Sequence, residues 1–273
     1  MSATITASDV NKLRTMTGAG MMDCKKALTE TNGDFEAAID VLRKKGQKVA
    51  ANRSDRDAKE GRIVALSNGS RGILVAVNSE TDFVAINEDF KNTADAFAEI
   101  ALSKAPADKD ALLALPYESM TIGEKITEMV GRIGEKIELS KYEQITAAAV
   151  IAYNHPGNKL ACIVGFNKPV SDEIGKNVAM QVAAMAPVAL DKEDVDATLL
   201  ERELEIAKEQ IRAEGKPEEM VEKIAQGKIT KFYKESTLLN QEFIKDNKKS
   251  IRQYLQDTDK ELTVTAFKRI ILG

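Results

Sequence analysis

The apolar positions of this chain follow two periods, and the places where the period changes divide it. From residue 8 to residue 46 the spacing is helical. Val10, Leu13 and Met16 repeat along one helix face after Ser8, the candidate cap, and Gly18-Ala19-Gly20 interrupts the run. Met21, Cys24 and Leu28 form the expected inward stripe of a second helix, which Asn32-Gly33 closes as a left-handed cap. Asp34 caps a third, in which Phe35, Ala38, Ile39 and Leu42 repeat before Gly46. Three short amphipathic helices close only a small bundle, with the polar segment 47–60 as its tether.

Past residue 60 the pattern shortens to that of strands. "GRIVALSNGSRGILVAVN", residues 61–78, is two β-rich runs around Asn68-Gly69, a hairpin signature. A helix follows with Phe90, Ala94, Phe97 and Ala101 on one face. "ITEMVGRIGEKIEL" reads as a helix leading into a strand that ends near Tyr142. The plan then repeats: "AAAVIAYNHPGNKLACIVGFN", residues 147–167, is a second hairpin around Pro156-Gly157, followed by a helix that aligns Ile174, Val178, Val182 and Met185. Two hairpin-then-helix units in matching register predict a duplicated subdomain. From Ala197 to Ile229 a coiled-coil seam, Leu200, Leu204, Ala207 and Ile211, runs to a break at Gly215-Lys216-Pro217, and Met220, Ile224 and Gly227 return along a partner helix.

The expected fold class is therefore α+β: an N-terminal three-helix domain (1–54), a core subdomain N (55–142), and a core subdomain C (143–273) that carries a protruding helical hairpin at about 190–230. Composition narrows the function. A 273-residue chain with 43% apolar and 30% charged residues has ample material for cores. No apolar run reaches the roughly 18 residues of a membrane span, and the polar start Met1-Ser2-Ala3-Thr4 lacks the features of a secretory signal, so a cytoplasmic protein without membrane contact is expected. Cys24 and Cys162 lack CxxC spacing and read as reduced, buried small hydrophobes. A net charge of -4 argues against general nucleic-acid binding. The one basic run, Arg43, Lys44, Lys45, Lys48, Arg53 and Arg56, carries no aromatic on which bases could stack.

Candidate chemistry is sparse. The glycines of "TGAGMMDCKKAL" suggest a phosphate loop, yet Lys25-Lys26 is followed by Ala27 rather than Ser or Thr, and no strand precedes the turn, so direct nucleotide binding is not expected. His155, the single histidine, sits in a hairpin turn and leaves no set for a triad or a histidine metal site. No residue is assigned a catalytic, metal or cofactor role. Two features invite a contact with another protein. One is Met22, which points away from the stripe if Met21 lies on it. The other is Asp82-Phe83 in "NSETDFVA", where either Phe83 plugs the core and Asp82 caps the next helix, or the loop pushes an aromatic wedge into a partner.

Taken together, "ITASDVNKLRTMTGAGMMDCKKAL", "NGDFEAAIDVLRKKG", "NSETDFVA", "IGEKI" at 133–137 and "NVAMQVAAMAP" resemble, in order along most of the chain, the bacterial translation elongation factor Ts family, guanine-nucleotide exchange factors of elongation factor Tu. The resemblance implies a ubiquitin-associated-like N-terminal bundle and a non-catalytic role with elongation factor Tu as partner. It implies that Thr81, Asp82, Phe83 and Val84 enter the partner's GTPase domain, with Phe83 wedging between helices and Asp82 near the region whose disturbance dislodges Mg²⁺. It further implies that Arg14, Met21 and Met22 dock on another helix of that domain, and that His155 also faces the partner. A homodimer through core subdomain C stays open. Many members carry a further C-terminal helical module where this sequence closes at "AFKRIILG", and the remaining surfaces are expected to suffice. A scaffold without exchange activity, and an RNA binder using residues 43–56, stand as rival readings.

Overall fold

A computed structural model describes residues 4–273; Met1, Ser2 and Ala3, part of the polar start and of the expected 1–54 domain, lie outside the described residues. The chain is α+β and divides into two compact units. One comprises the chain up to Val64, Val75–Tyr142 and Leu272–Gly273; the other comprises Ala65–Leu74 and Glu143–Ile271.

In the first unit α1 (Ala7–Thr17) is capped by Thr6 rather than the expected Ser8. Thr6 has an acid three residues on and Ser8 has not: the Asp9 amide donates to Thr6 Oγ1 at 3.2 Å while Asp9 Oδ2 accepts from the Thr6 amide at 3.0 Å, a reciprocal box. Val10 and Leu13 point inward as expected, but Met16 does not, because the spacing of three and then four continues to Thr17 instead. Helix α2 (Met21–Glu30) buries Cys24, Ala27 and Leu28. Met21 was expected on that stripe and is exposed. The preceding turn folds Thr17 and Ala19 over Cys24, whose Sγ lies 3.7 Å from the Ala19 carbonyl, so the space Met21 would have entered is filled. Helix α3 (Phe35–Asn52), capped by Asp34 as expected, runs straight through Gly46 and takes up the first six residues of the supposed tether.

Gly46 does not end α3 because it serves a helix crossing. After strands β1 (Glu60–Ser67) and β2 (Arg71–Ser79) come a short helix α4 (Asp82–Ala85), α5 (Glu88–Lys104), α6 (Lys109–Leu113), the small pair β3 (Pro116–Tyr117) and β4 (Met120–Thr121), α7 (Ile122–Ile133) and β5 (Ile137–Thr146). On α5 Phe90, Ala94, Phe97 and Ala101 are buried, as their spacing requires. A Cβ built on Gly131 of α7 would fall 2.6 Å from the Gly46 Cα, and one on Gly46 would fall 3.1 Å from the Thr127 carbonyl oxygen. The two helix backbones touch where neither has a side chain. Strand order in this sheet is β1-β2-β5.

In the second unit lie β6 (Ala149–Asn154) and β7 (Leu160–Phe166), a hairpin, followed by α8 (Asp172–Met185). The long helices α9 (Ala197–Ala213) and α10 (Glu218–Ser236) form the expected hairpin. Its seam is Ala207, Ile211, Val221 and Ala225 with Leu204 and Ile224; Met220 and Gly227, expected on the seam, face outward, since the return helix is rotated by one position. The chain then adds β8 (Glu242–Phe243), β9 (Asp246–Ser250), α11 (Ile251–Gln256) and β10 (Val264–Ile271), which pairs antiparallel with β7 in a β10-β7-β6 sheet. Cys162, Val164 and Phe166 of β7 pack with Val178 and Val182 of α8. Cys24 and Cys162 are both free and buried, and burial pushes the Cys162 thiol up to about 12. Among the described residues no helix is long and apolar enough to cross a membrane.

Because the obstructing atoms at the crossing are backbone, they cannot swing aside. Gly131→Ala should cost about 1–3 kcal/mol by overpacking, offset by no more than about 1 kcal/mol of helix propensity. The expected readout is faster amide exchange across α3 and α7 in native-state hydrogen exchange, with α8 unchanged.

Candidate functional site

The stretch 79–87 follows the end of β2 and precedes α5, and it is held by polar bonds rather than by its own burial. Ser79, wholly buried, donates its hydroxyl to the Thr81 carbonyl at 2.9 Å. The Thr81 amide and hydroxyl donate to the two oxygens of Glu135, at 3.0 and 2.7 Å. Glu80 Oε1 accepts from Arg53 Nη1 at 2.7 Å and from the Lys136 amide at 2.6 Å. Lys136 in turn donates through Nζ to the carbonyls of Ser54 and Arg56, at 2.9 and 3.0 Å. "IGEKI", a stretch to which sequence reasoning assigned no role, is thus the fastening of the loop. Its Glu135-Lys136 pair grips the last two residues of the motif "NSET", Lys136 holding Glu80 and Glu135 holding Thr81.

So held, the loop turns its apolar side chains outward. Phe83 is 78% exposed and Ile86 66%, while Val84 is half-buried. Of the two readings of Asp82-Phe83, the core plug is overturned, because α4 is a single turn with no buried residue and a phenyl on it has no interior to enter. Asp82 opens α4 and does not cap the longer helix; Asn87 caps α5, its Oδ1 accepting from the Asp89 amide at 2.9 Å.

A second exposed apolar edge lies on the α1–α2 turn of the same unit. Gly18 has φ +67° and donates its amide to the Arg14 carbonyl at 2.7 Å, ending α1 with the left-handed residue glycine tolerates. Met22 is 75% exposed, Met21 53% and Met16 57%; Arg14, in the last turn of α1, is exposed too. Sequence reasoning found Met22 and missed Met16 and Ile86, whose exposure only the helix rotations reveal.

Two features of the basic run are tied down: Lys45 is ion-paired with Asp23, and Arg53 with Glu80. His155 lies in the second unit, exposed in the β6–β7 turn. Its amide donates to the Leu160 carbonyl at 2.9 Å, and its Nδ1 is hydrogen-bonded with the Tyr153 hydroxyl at 3.0 Å. Asn154 beside it bonds both ways with the backbone of Ala65 in that unit, at 2.8 and 2.9 Å. Among the described residues no group of three or more His, Cys, Asp or Glu stands close enough to hold a metal ion.

The exposed apolar side chains of the first unit are thus gathered on two turns, Met16, Met21 and Met22 at one and Phe83 and Ile86 at the other. Comparisons with known proteins show the family. A family model described as "Elongation factor TS" matches residues 80–273. Curated proteins named Elongation factor Ts are similar over nearly the whole chain: that of Christiangramia forsetii is 52% identical over 99% of this chain and 100% of its own. The Cytophaga hutchinsonii protein is 54% identical over the same shares, and that of Flavobacterium psychrophilum 51%. The chain belongs to the elongation factor Ts family.

The clamp on the loop is pH-sensitive with a definite sign. The Lys136 amide, and after it the Arg53 guanidinium, hold the Glu80 carboxyl below the ordinary glutamate value against the opposing effect of burial. Its contribution is therefore complete above the ordinary value of about 4.3 and is lost as pH falls through the depressed folded value. Acidification through that range should speed amide exchange at Lys136, and Glu80→Gln should remove the pH-dependence relative to the intrinsic rate.

Proposed function

We propose that this chain accelerates GDP release from elongation factor Tu by inserting the loop Thr81–Val84 into the partner's GTPase domain while the α1–α2 turn docks on another part of that domain. The family's general role is nucleotide exchange on elongation factor Tu; the residue roles here are those the resemblance implies. The observation that carries the reading is Phe83, a large ring left 78% exposed on a loop whose flanking residues are fastened by Glu135, Arg53 and Lys136. A mobile phenyl would lose rotational freedom on insertion, whereas a loop already held presents it at little further entropic cost.

The chemistry is linkage and not bond-making, and the chain acts without catalytic residues or a nucleotide of its own. In a GTPase the nucleotide and Mg²⁺ hold each other through phosphate oxygens and a cradle of backbone amides. Phe83 wedges between helices of that domain, and Asp82 places a carboxylate near the metal's surroundings, favouring the form in which the cradle is disturbed. Arg14, Met21 and Met22 supply a second contact, with methionine adapting to the opposing surface. His155, on the turn of the second unit, adds a third. A protein that binds the disturbed form best must weaken GDP binding, and GDP weakens its binding by the same factor. GTP then enters the emptied site.

Release of labelled GDP from purified elongation factor Tu tests this. The wild-type chain is expected to accelerate release. Phe83→Ala should lose about thirtyfold, the equivalent of roughly 2 kcal/mol of apolar burial, and Asp82→Ala about tenfold. A chain that binds without accelerating release is a scaffold, and one that instead retains RNA with steep salt dependence is an RNA binder; either result overturns the proposal.

A further inference from the structure

The two exposed apolar edges of the first unit come from segments far apart in sequence, the α1–α2 turn and α4. One side chain, Arg132, in the last turn of α7, lies against Gly18 of the first and is bonded to Asp89, just past the second. On one side it lies along Gly18: a Cβ built there would sit 2.7 Å from Arg132 Cδ and 3.1 Å from its Nη1. Gly18 is favoured by its left-handed φ, and the arginine stem lies close across it. On the other side Arg132 Nη2 is ion-paired with Asp89, in the first turn of α5 immediately after the loop. Nε lies 3.6 Å from Glu128 Oε1, one turn back on α7, which steadies the guanidinium from behind.

The surrounding space tells the same story. Arg132 lines a cavity of about 450 Å³ that is also bounded by Thr15, Met16 and Gly18, and a second of about 430 Å³ bounded by Phe83, Val84 and Asn87. It borders both. With its side chain only 23% exposed, the stem fills space while Nη2 of the planar head bonds Asp89. A half-exposed ion pair such as Arg132–Asp89 adds little to stability, so holding position is the more telling use of this residue.

We infer that Arg132 is a positioning residue that couples the Gly18–Met22 turn to the Thr81–Ile86 loop, so that a partner protein meets the two edges in one fixed geometry. The inference rests on the exchange reading above, with Phe83 and Met22 as contacts. Where two contacts are held in register, losing either one weakens the use made of the other. Their losses then fail to multiply.

The test is a double-mutant cycle on GDP release from elongation factor Tu, with the full chain, measured against factor concentration. In the wild-type background the combined Met22→Ala and Phe83→Ala loss should fall short of the product of the single losses by about threefold or more. In the Arg132→Ala background the two losses should multiply. The half-saturating concentration of Arg132→Ala alone should rise several-fold with the rate at saturation little changed, and its unfolding midpoint should stay near that of wild type. Asp89→Asn, which loosens the same tie from the far end, should reproduce the change and serves in its place if Arg132→Ala does not fold. A cycle that is equally non-multiplicative with and without the arginine, or multiplicative in both, overturns the coupling while leaving the exchange role intact. A Phe83→Ala chain as active as wild type removes the exchange reading, and the coupling falls with it.

Discussion

Everything the loop 79–87 can do depends on its being fastened by groups other than those it displays. An apolar side chain normally fixes its own segment by entering a core, but one that must remain available to another protein cannot. Here the fixing is done by a bidentate carboxylate, Glu135, on the Thr81 amide and hydroxyl, and by a second carboxylate, Glu80, bridging Arg53 and the Lys136 amide. Both bonds of each carboxylate are charge-assisted or made to backbone donors, which suits partly buried positions where an unpaired oxygen would be costly. Polar groups hold the segment so that apolar groups are free.

The scaffold that carries this clamp was largely legible in the sequence. Asn68-Gly69 and Pro156-Gly157 marked both hairpins, and the alignments on α5 and α8 marked the helices that follow them, because a buried face leaves a period; on α8 the period holds through Val178 and Val182 but Met185, expected on that face, is exposed in the last turn. The pattern failed where tertiary space decided. Gly46 reads as a helix end by propensity, yet α3 continues through it because α7 approaches there. Met21 and Met16 read as core residues and lie outside it, Met21 because the preceding turn fills the space beside Cys24 and Met16 because the inward face of α1 continues to Thr17. Strand β10 went unseen: its burial alternates poorly and its pairing with β7 shifts register near Val264 and Ala266, so the period of two is broken.

The site was legible in a different way. Phe83 and Asp82 could be singled out as an aromatic and an acid in a connecting loop, but their exposure could not, because the same letters suit a core plug. What distinguishes the two outcomes is Glu135-Lys136, some fifty positions downstream, and no local rule links those residues to Thr81 and Glu80. The stretch "NVAMQVAAMAP" was recognisable without its purpose being readable. In the structure Gln181 donates to Gln241 Oε1 and to the Glu242 carbonyl, each at 3.1 Å, and Asn177 donates to the Tyr254 hydroxyl at 2.8 Å. These buried amides seat the segment after the helical hairpin, a region whose own pattern is weak.

The contact between Gly46 and Gly131 limits how such a sequence can drift. A side chain that grows in an ordinary core can be accommodated by a neighbour that shrinks, and paired changes of that kind keep many lineages of sequence open. At this crossing each position already holds the smallest residue there is, and the opposing atom is main chain. No second-site replacement can restore the lost space, so the two positions lack the compensating route by which most buried sites evolve.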